Sequence, residues 1–171
     1  MKTIILSSSL SPKSRSFLLC KEMGDILTQK SIQVDLVDLR DYDINPFHRP
    51  RTPDMDKLTE KIKTADNIII GLGIHNYSIS DALKIVLDNC FTEATGKFYG
   101  IIAAAGGQRS YLATTHLTQA CMNQWRMIQL PRVIYATGGD FVGEDIANED
   151  LKDRLNHFAE EFSTIGQKLI D

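Results

Sequence analysis

The 171-residue chain has no apolar run near the roughly 20 residues that a bilayer-spanning helix requires. Its opening apolar stretch, residues 3–6, is too short for the core of a secretory leader. A cytoplasmic protein with no membrane partner is therefore expected. Cysteine is scarce: Cys20, Cys90 and Cys121 are far apart, form no C-x-x-C pair and have no histidine at zinc-ligand spacing. That excludes a disulfide scaffold and leaves no metal site to predict. Charge of one sign is also lacking. Nineteen Lys and Arg face 22 Asp and Glu, a net −3, which excludes nucleic-acid or anionic-membrane binding driven by net charge. Low-complexity tracts and solenoid repeats are absent too, and the length suits one domain over 1–171.

Five short segments rich in Ile, Val and Leu begin near Thr3, Ile32, Asn67, Phe98 and Arg132, 29 to 35 residues apart. That is the spacing of βα units. Residues 3–7, 67–72 and 98–104 are continuously apolar, as strands covered on both faces should be. Residues 32–39 instead alternate Ile32, Val34 and Leu36 with Gln33, Asp35 and Asp38, which suits a sheet edge. Between the strands the apolar period is helical. Leu19, Met23, Ile26 and Leu27 form one stripe, and Met55, Leu58, Ile62 and Ala65 another behind a Thr52-Pro53 cap. Leu83, Val86, Leu87 and Cys90 form a third, and Ala113, Leu117, Ala120 and Cys121 a fourth. The last runs through Leu151, Leu155, Phe158, Phe162, Ile165 and Leu169 after an Asn148 cap.

Right-handed crossovers then give an α/β three-layer sandwich: a five-stranded parallel sheet in order 2-1-3-4-5 with helices on both faces. In such a sheet a ligand sits beyond the carboxyl ends of the strands, at the switch point between strands one and three. The loops that matter are 7–16, 71–80 and 105–111.

The first of these places six serines, Lys13 and Arg15 between a strand and a helix start, and the first 21 residues contain no acid. Helix first turns favour Asp and Glu, so their absence points to a ligand that brings the negative charge. Helix amides, hydroxyls and a guanidinium are the parts a phosphate monoester needs, and a serine-rich capping turn is the plain alternative. No G-x-x-x-x-G-K-[ST] is present, so this is not a Walker loop. The Gly71-Leu72-Gly73-Ile74-His75-Asn76 segment lacks the last glycine of a dinucleotide fingerprint. Glycines there, and Gly106-Gly107 after the fourth strand, let a flat ligand approach the backbone closely. Two such loops beside a phosphate loop suit FMN. A receiver domain of the same architecture needs carboxylates at the ends of strands one and three, where Ser7 and Gly71 stand.

These loops resemble the NADPH-dependent FMN reductases of the flavodoxin-like superfamily. The family's glycine-serine-x-arginine-x-x-serine opening matches Ser8-Ser9-Leu10-Ser11-Pro12-Lys13-Ser14, with Ser11 where arginine is frequent. Its proline-glutamate-tyrosine-asparagine-glycine-serine loop matches Gly73-Ile74-His75-Asn76-Tyr77-Ser78, then Ala82-Leu83-Lys84, with Tyr77 in place of glycine. Its diglycine matches Gly106-Gly107. The resemblance spans Lys2 to about Phe141. It implies a flavodoxin-like fold, FMN as cofactor, NADPH or NADH as co-substrate, and a homodimer or homotetramer.

The residues expected to bind the cofactor are Ser9, Ser11, Ser14, Arg15 and Ser16 at the phosphate, and His75, Asn76, Tyr77, Ser78, Gly106, Gly107, Gln108 and Ser110 around the ring. Arg109 is placed to favour a 2′-phosphate. The cofactor carries the hard chemistry, so no catalytic side chain is required. The expected activity is transfer of reducing equivalents from a nicotinamide to flavin and on to a small acceptor: free flavin, a quinone, an azo dye, a metal oxyanion or a partner monooxygenase. A flavodoxin-like electron carrier and a flavin-free scaffold are the alternatives; a carrier usually has a more acidic face than a net charge of −3 supplies.

Overall fold

The computed structural model describes residues 1–170; Asp171, the last residue of the expected domain, lies outside them. Strands β1 (Lys2–Ser7), β2 (Gln33–Asp38), β3 (Asn67–Gly73), β4 (Phe98–Ala105) and β5 (Ile128–Thr137) form one sheet in the order β2-β1-β3-β4-β5. All four neighbouring pairs are parallel. The order and the edge position of β2 agree with the strand spacing. No helix among the described residues is long and apolar enough to cross a membrane.

Helices α1 (Arg15–Gln29) and α5 (Glu149–Lys168) cover one face, and α2 (Pro53–Thr64), α3 (Asp81–Cys90) and α4 (Thr114–Trp125) cover the other. Each face has its own core. On the α1/α5 side Leu19, Met23, Leu155 and Phe158 pack on Ile5, Ile69 and Ile102; on the other, Leu58, Leu83 and Leu117 pack on Ile4, Ile70 and Ile101. Phe158 is fully buried, and its ring occupies the space that a Cβ at Gly100 would enter, 2.4 Å away. Burying a ring of that size contributes about 1.5–3 kcal/mol.

Helix starts fall where their caps are. The Thr52 hydroxyl accepts the Met55 amide, with Pro53 next in the chain, and the Asn148 side chain accepts the Asp150 and Leu151 amides. Three expectations need correction. β5 begins at Ile128 rather than near Arg132, because Pro131 is accommodated where the register slips between Tyr99/Gln129 and Ile101/Val133 on an edge strand. Leu36 is exposed, and the burial of β2 passes to Val37. Ile165 and Leu169 also leave the core: at its far end α5 turns Gly166 inward, against Asn67 and Met1.

Candidate functional site

The carboxyl ends of β1, β3 and β4 finish side by side, with Ser7 opposite Gly71 and Gly73 opposite Ala104. Three loops leave from that line. The first is pinned to the second through Ser8, whose amide and hydroxyl both donate to the Gly71 carbonyl, at 2.9 and 2.8 Å. Ser9, almost fully buried, places its Oγ beside Gly73, and His75 folds its Nε2 back onto the same glycine. The second loop is pinned to the third by the Ile74 amide, which donates to the Ala104 carbonyl at 2.9 Å.

In the first loop Ser14 is the N-cap of α1: its Oγ accepts the Phe17 amide at 3.0 Å and lies 3.0 Å from the Ser16 Oγ. Both hydroxyls are buried. One of their two protons lies between them, so the pair keeps one O–H to donate elsewhere. The amides of Arg15 and Ser16, first in the helix, have no intrahelical acceptor, and the first turn contains no acid. This is an anion-seeking helix start with buried donors beside it. Ser9 and Ser11 stabilise the turn by accepting the Ser11 and Lys13 amides.

Arg40, at the end of β2, clamps the loop from outside. Its guanidinium pairs with Asp38, reaches the Ser11 and Pro12 carbonyls and lies 4.4 Å over the Phe17 ring. Sequence reasoning missed it because nothing local marks a partner 28 residues away. The Arg15 guanidinium turns toward the end of β5, beside Gly138 and over Phe141. Lys13, Ser14 and Arg15 line a cleft with Arg40 and Glu144, separate from the one between the other two loops.

The second loop is a tight two-residue hairpin. His75 and Ser78 exchange both backbone hydrogen bonds, at 3.0 and 2.8 Å, and the two residues between them, Asn76 and Tyr77, have φ of 47° and 61°. That is the geometry for which Asn-Gly is favoured, so Tyr77 occupies a left-handed position as a bulky residue. The Ser78 hydroxyl lies 3.0 Å from Nδ1 of His116 on α4, a tie across 38 residues that no sequence pattern reveals.

Facing the hairpin is the third loop, Gly106-Gly107 followed by a 3₁₀ turn, Gln108–Ala113. Tyr135 on β5 fixes it: the Tyr135 hydroxyl donates to the Gly107 carbonyl at 2.7 Å and lies 2.9 Å from the Ser110 Oγ. With the tyrosine proton committed to Gly107, Ser110 donates its own to Tyr135. Between hairpin and turn lies a cleft of about 550 Å³, with Ile74, Asn76 and Tyr77 on one side and Gly106 to Ser110 on the other. A Cβ at Gly106 or Gly107 would meet nothing within 4 Å. The cleft therefore has a bare backbone floor.

Cys20 lies under this region, its Sγ only 2.0 Å from where a Cβ on Gly71 would stand. Burial pushes its thiol up to about 12, with the Ser7 hydroxyl lowering it and Asp38 raising it. It is a neutral packing group rather than a nucleophile. Burial likewise pushes Cys121 up to about 12, against a lowering contact from Tyr99.

These parts fit a flavin mononucleotide: buried hydroxyls and free helix amides for a phosphate, and an open glycine-floored cleft for a ring at the same end of the sheet. The model of one protein family, described as NADPH-dependent FMN reductase, matches residues 1–141. An FMN reductase (NADPH) of Pseudomonas aeruginosa is 26% identical over 93% of this chain and 89% of its own. An NADH-dependent FMN reductase of Pseudomonas fluorescens is 26% identical over 94% of this chain and 89% of its own. Among solved structures, a flavoenzyme NAD(P)H:(acceptor) oxidoreductase from Paracoccus denitrificans superposes with a TM-score of 0.80, at 16% identity, over 98% of this chain and 97% of that one. At that identity the likeness shows the fold alone.

Proposed function

Because this chain belongs to the NADPH-dependent FMN reductase family, and is thus an oxidoreductase that uses FMN and a nicotinamide, we propose that its three loops make one FMN site serving a small two-electron acceptor. The observation that carries this is the open glycine floor at 106 and 107, with no atom beyond the adjoining residues within 4 Å of either Cβ position, facing a hairpin at the switch point of the sheet. When bound, FMN supplies the chemistry of taking up reducing equivalents from the nicotinamide and passing them to the acceptor.

The chain's own part is binding and orientation. Ser14, Ser16 and the amides of Arg15 and Ser16 hold the phosphate, whose charge suits a helix start without acids. Ser9 and His75 both lie beside Gly73, next to the point where Ser8 ties the phosphate loop to the ring loop. Backbone at Gly106 and Gly107, held by Tyr135 and Ser110, approaches the ring, and the Asn76 side chain reaches it from the opposite wall. Amide donors on such a loop stabilise negative charge that develops on the ring. Under this reading the chain is one flavin-binding unit, and exposed Leu112 and Met122 supply the contact of a homodimer or homotetramer.

Titration of the apo-protein with FMN, followed by flavin fluorescence, tests the reading. One tightly bound flavin per chain supports it, and the absence of binding leaves the flavin-free scaffold. A bound flavin that neither NADPH nor NADH reduces leaves the electron carrier.

A further inference from the structure

Tyr77 stands in a conformation that costs a bulky L-residue roughly 1–2 kcal/mol relative to glycine. Its φ is 61°, the residue is 61% exposed, and among the described residues it makes no ring contact or side-chain hydrogen bond. Neither packing nor a hydrogen bond accounts for a tyrosine there. Strain of this kind concentrates at ligand clamps, where it is retained for what it positions. The ring lines the cleft whose other wall holds Gly107 and Arg109.

Arg109 is the second unexplained residue. It is exposed and, among the described residues, forms no ion pair and no side-chain hydrogen bond, as is also true of Arg49 and Arg126, whereas Arg40, Arg51, Arg132 and Arg154 pair with a carboxylate. It is also the one charged residue among those lining the cleft, which has no acid to oppose it. A lone guanidinium at the mouth of an otherwise uncharged cleft raises the local concentration of anions and offers a planar, two-pronged donor.

We propose that Tyr77 and Arg109 select the electron acceptor as a planar aromatic anion, a quinone carrying a sulfonate or carboxylate, with its rings stacked on Tyr77 and its anionic group on Arg109. This rests on the FMN reading of the same cleft. The reaction balances with the nicotinamide as reductant: NADPH gives two electrons and one proton, water gives the second proton, and the quinone leaves as hydroquinone with its carbon–oxygen π bonds reduced. An offset aromatic stack contributes about 0.5–1.5 kcal/mol and a charge-assisted hydrogen bond about 1.5–3 kcal/mol, so the charge dominates choice and the stack sets shape.

The test uses FMN-loaded wild type, Tyr77→Phe, Tyr77→Gly and Arg109→Gln. Naphthoquinone and its sulfonate are titrated into each oxidised protein without nicotinamide, followed by difference absorbance, and kcat/KM is then measured for both with NADPH. In Arg109→Gln the preference for sulfonate over neutral quinone falls by about 10-fold or more. Tyr77→Gly weakens both quinones alike, by about 2-fold to 10-fold, while Tyr77→Phe retains them. A sulfonate preference that survives Arg109→Gln overturns the proposal. So does an Arg109→Gln protein whose changed selectivity lies between NADPH and NADH, since the guanidinium then serves the reductant. FMN affinity is measured on the same proteins: a Tyr77→Gly protein losing FMN as much as quinone assigns the ring to the cofactor and also overturns it. Wild type that binds no FMN removes the flavin reading itself, a different failure from FMN-loaded protein indifferent to both substitutions.

Discussion

The hydroxyl of Tyr135, a β5 residue almost fully buried, donates at 2.7 Å to the carbonyl of Gly107, in the loop beyond the neighbouring strand. This bond sets the direction of the diglycine backbone, and Ser110 completes it from the other side at 2.9 Å. Removing the hydroxyl in Tyr135→Phe is expected to cost about 1 kcal/mol in a urea melt. Amide exchange at residues 106–110 should quicken while the rest of β4 and β5 keeps its protection. FMN affinity should fall in parallel. Unchanged exchange would mean that the loop is held by its own turn.

Two glycines separate the site from the scaffold. Gly107 has φ −169° and ψ 177°, extended backbone open to any residue, with free space beyond its Cα. Gly107→Val should therefore fold with wild-type stability and lose flavin occupancy. At Gly71 a Cβ would stand 2.0 Å from the Cys20 sulfur, so Gly71→Ala should cost about 1–3 kcal/mol of stability through overpacking and lower the melting temperature accordingly. Full flavin in folded Gly107→Val removes that loop from the site.

Ser14 has one observed duty and one proposed, which substitution can pull apart. As N-cap it accepts the Phe17 amide, so Ser14→Ala should cost about 1 kcal/mol of stability. Ser14→Asp can still cap and suits a helix first turn with no acid, so it should keep stability. Both should weaken FMN, alanine by roughly 10-fold or more and aspartate further, because a fixed carboxylate repels the phosphate. Riboflavin, lacking the phosphate, should be nearly indifferent to either change. Equal loss of FMN and riboflavin would reduce the loop to a serine-rich turn.

Asp140 couples the end of β5 to α5 and sets an acid limit on stability. Burial pushes its carboxyl up, but bonds from the Thr137 amide at 2.6 Å, the Asn148 amide group at 2.6 Å and the Thr137 hydroxyl, with Arg154 nearby, hold it below the usual range. A carboxyl with a lower value folded than unfolded adds stability above its unfolded value, about 3.9, and loses it as pH falls through the folded one. Asp140→Asn should be less stable than wild type at neutral pH by about 1.5–3 kcal/mol. The gap should close on acidification below pH of about 4. A gap constant with pH would deny the carboxylate its charged role.

What was legible in the sequence is local or periodic. Strand spacing marked the five βα units, the alternating second strand its edge place, Thr52-Pro53 and Asn148 two helix starts, and the acid-free serine loop the start of α1. What was illegible depends on chain segments meeting in space. The Tyr135–Gly107 and His116–Ser78 ties span 28 and 38 residues, and the Arg40 clamp reaches across from the end of β2. The start of β5 was set near Arg132 rather than at Ile128 because the bulge that accommodates Pro131 is a property of pairing with β4. The left-handed Tyr77 was hidden because the local rule expects glycine there.

Anaerobic mixing tests whether the loops after β1, β3 and β4 hold one FMN that NAD(P)H reduces. FMN-loaded protein is mixed with NADPH, and separately with NADH, in the absence of any acceptor while flavin absorbance is followed. The flavin should bleach at a rate that rises with nicotinamide concentration and then saturates, and the oxidised spectrum should recover when a quinone is added. An oxidised spectrum that persists with both nicotinamides, in protein carrying one tightly bound FMN per chain, would contradict it.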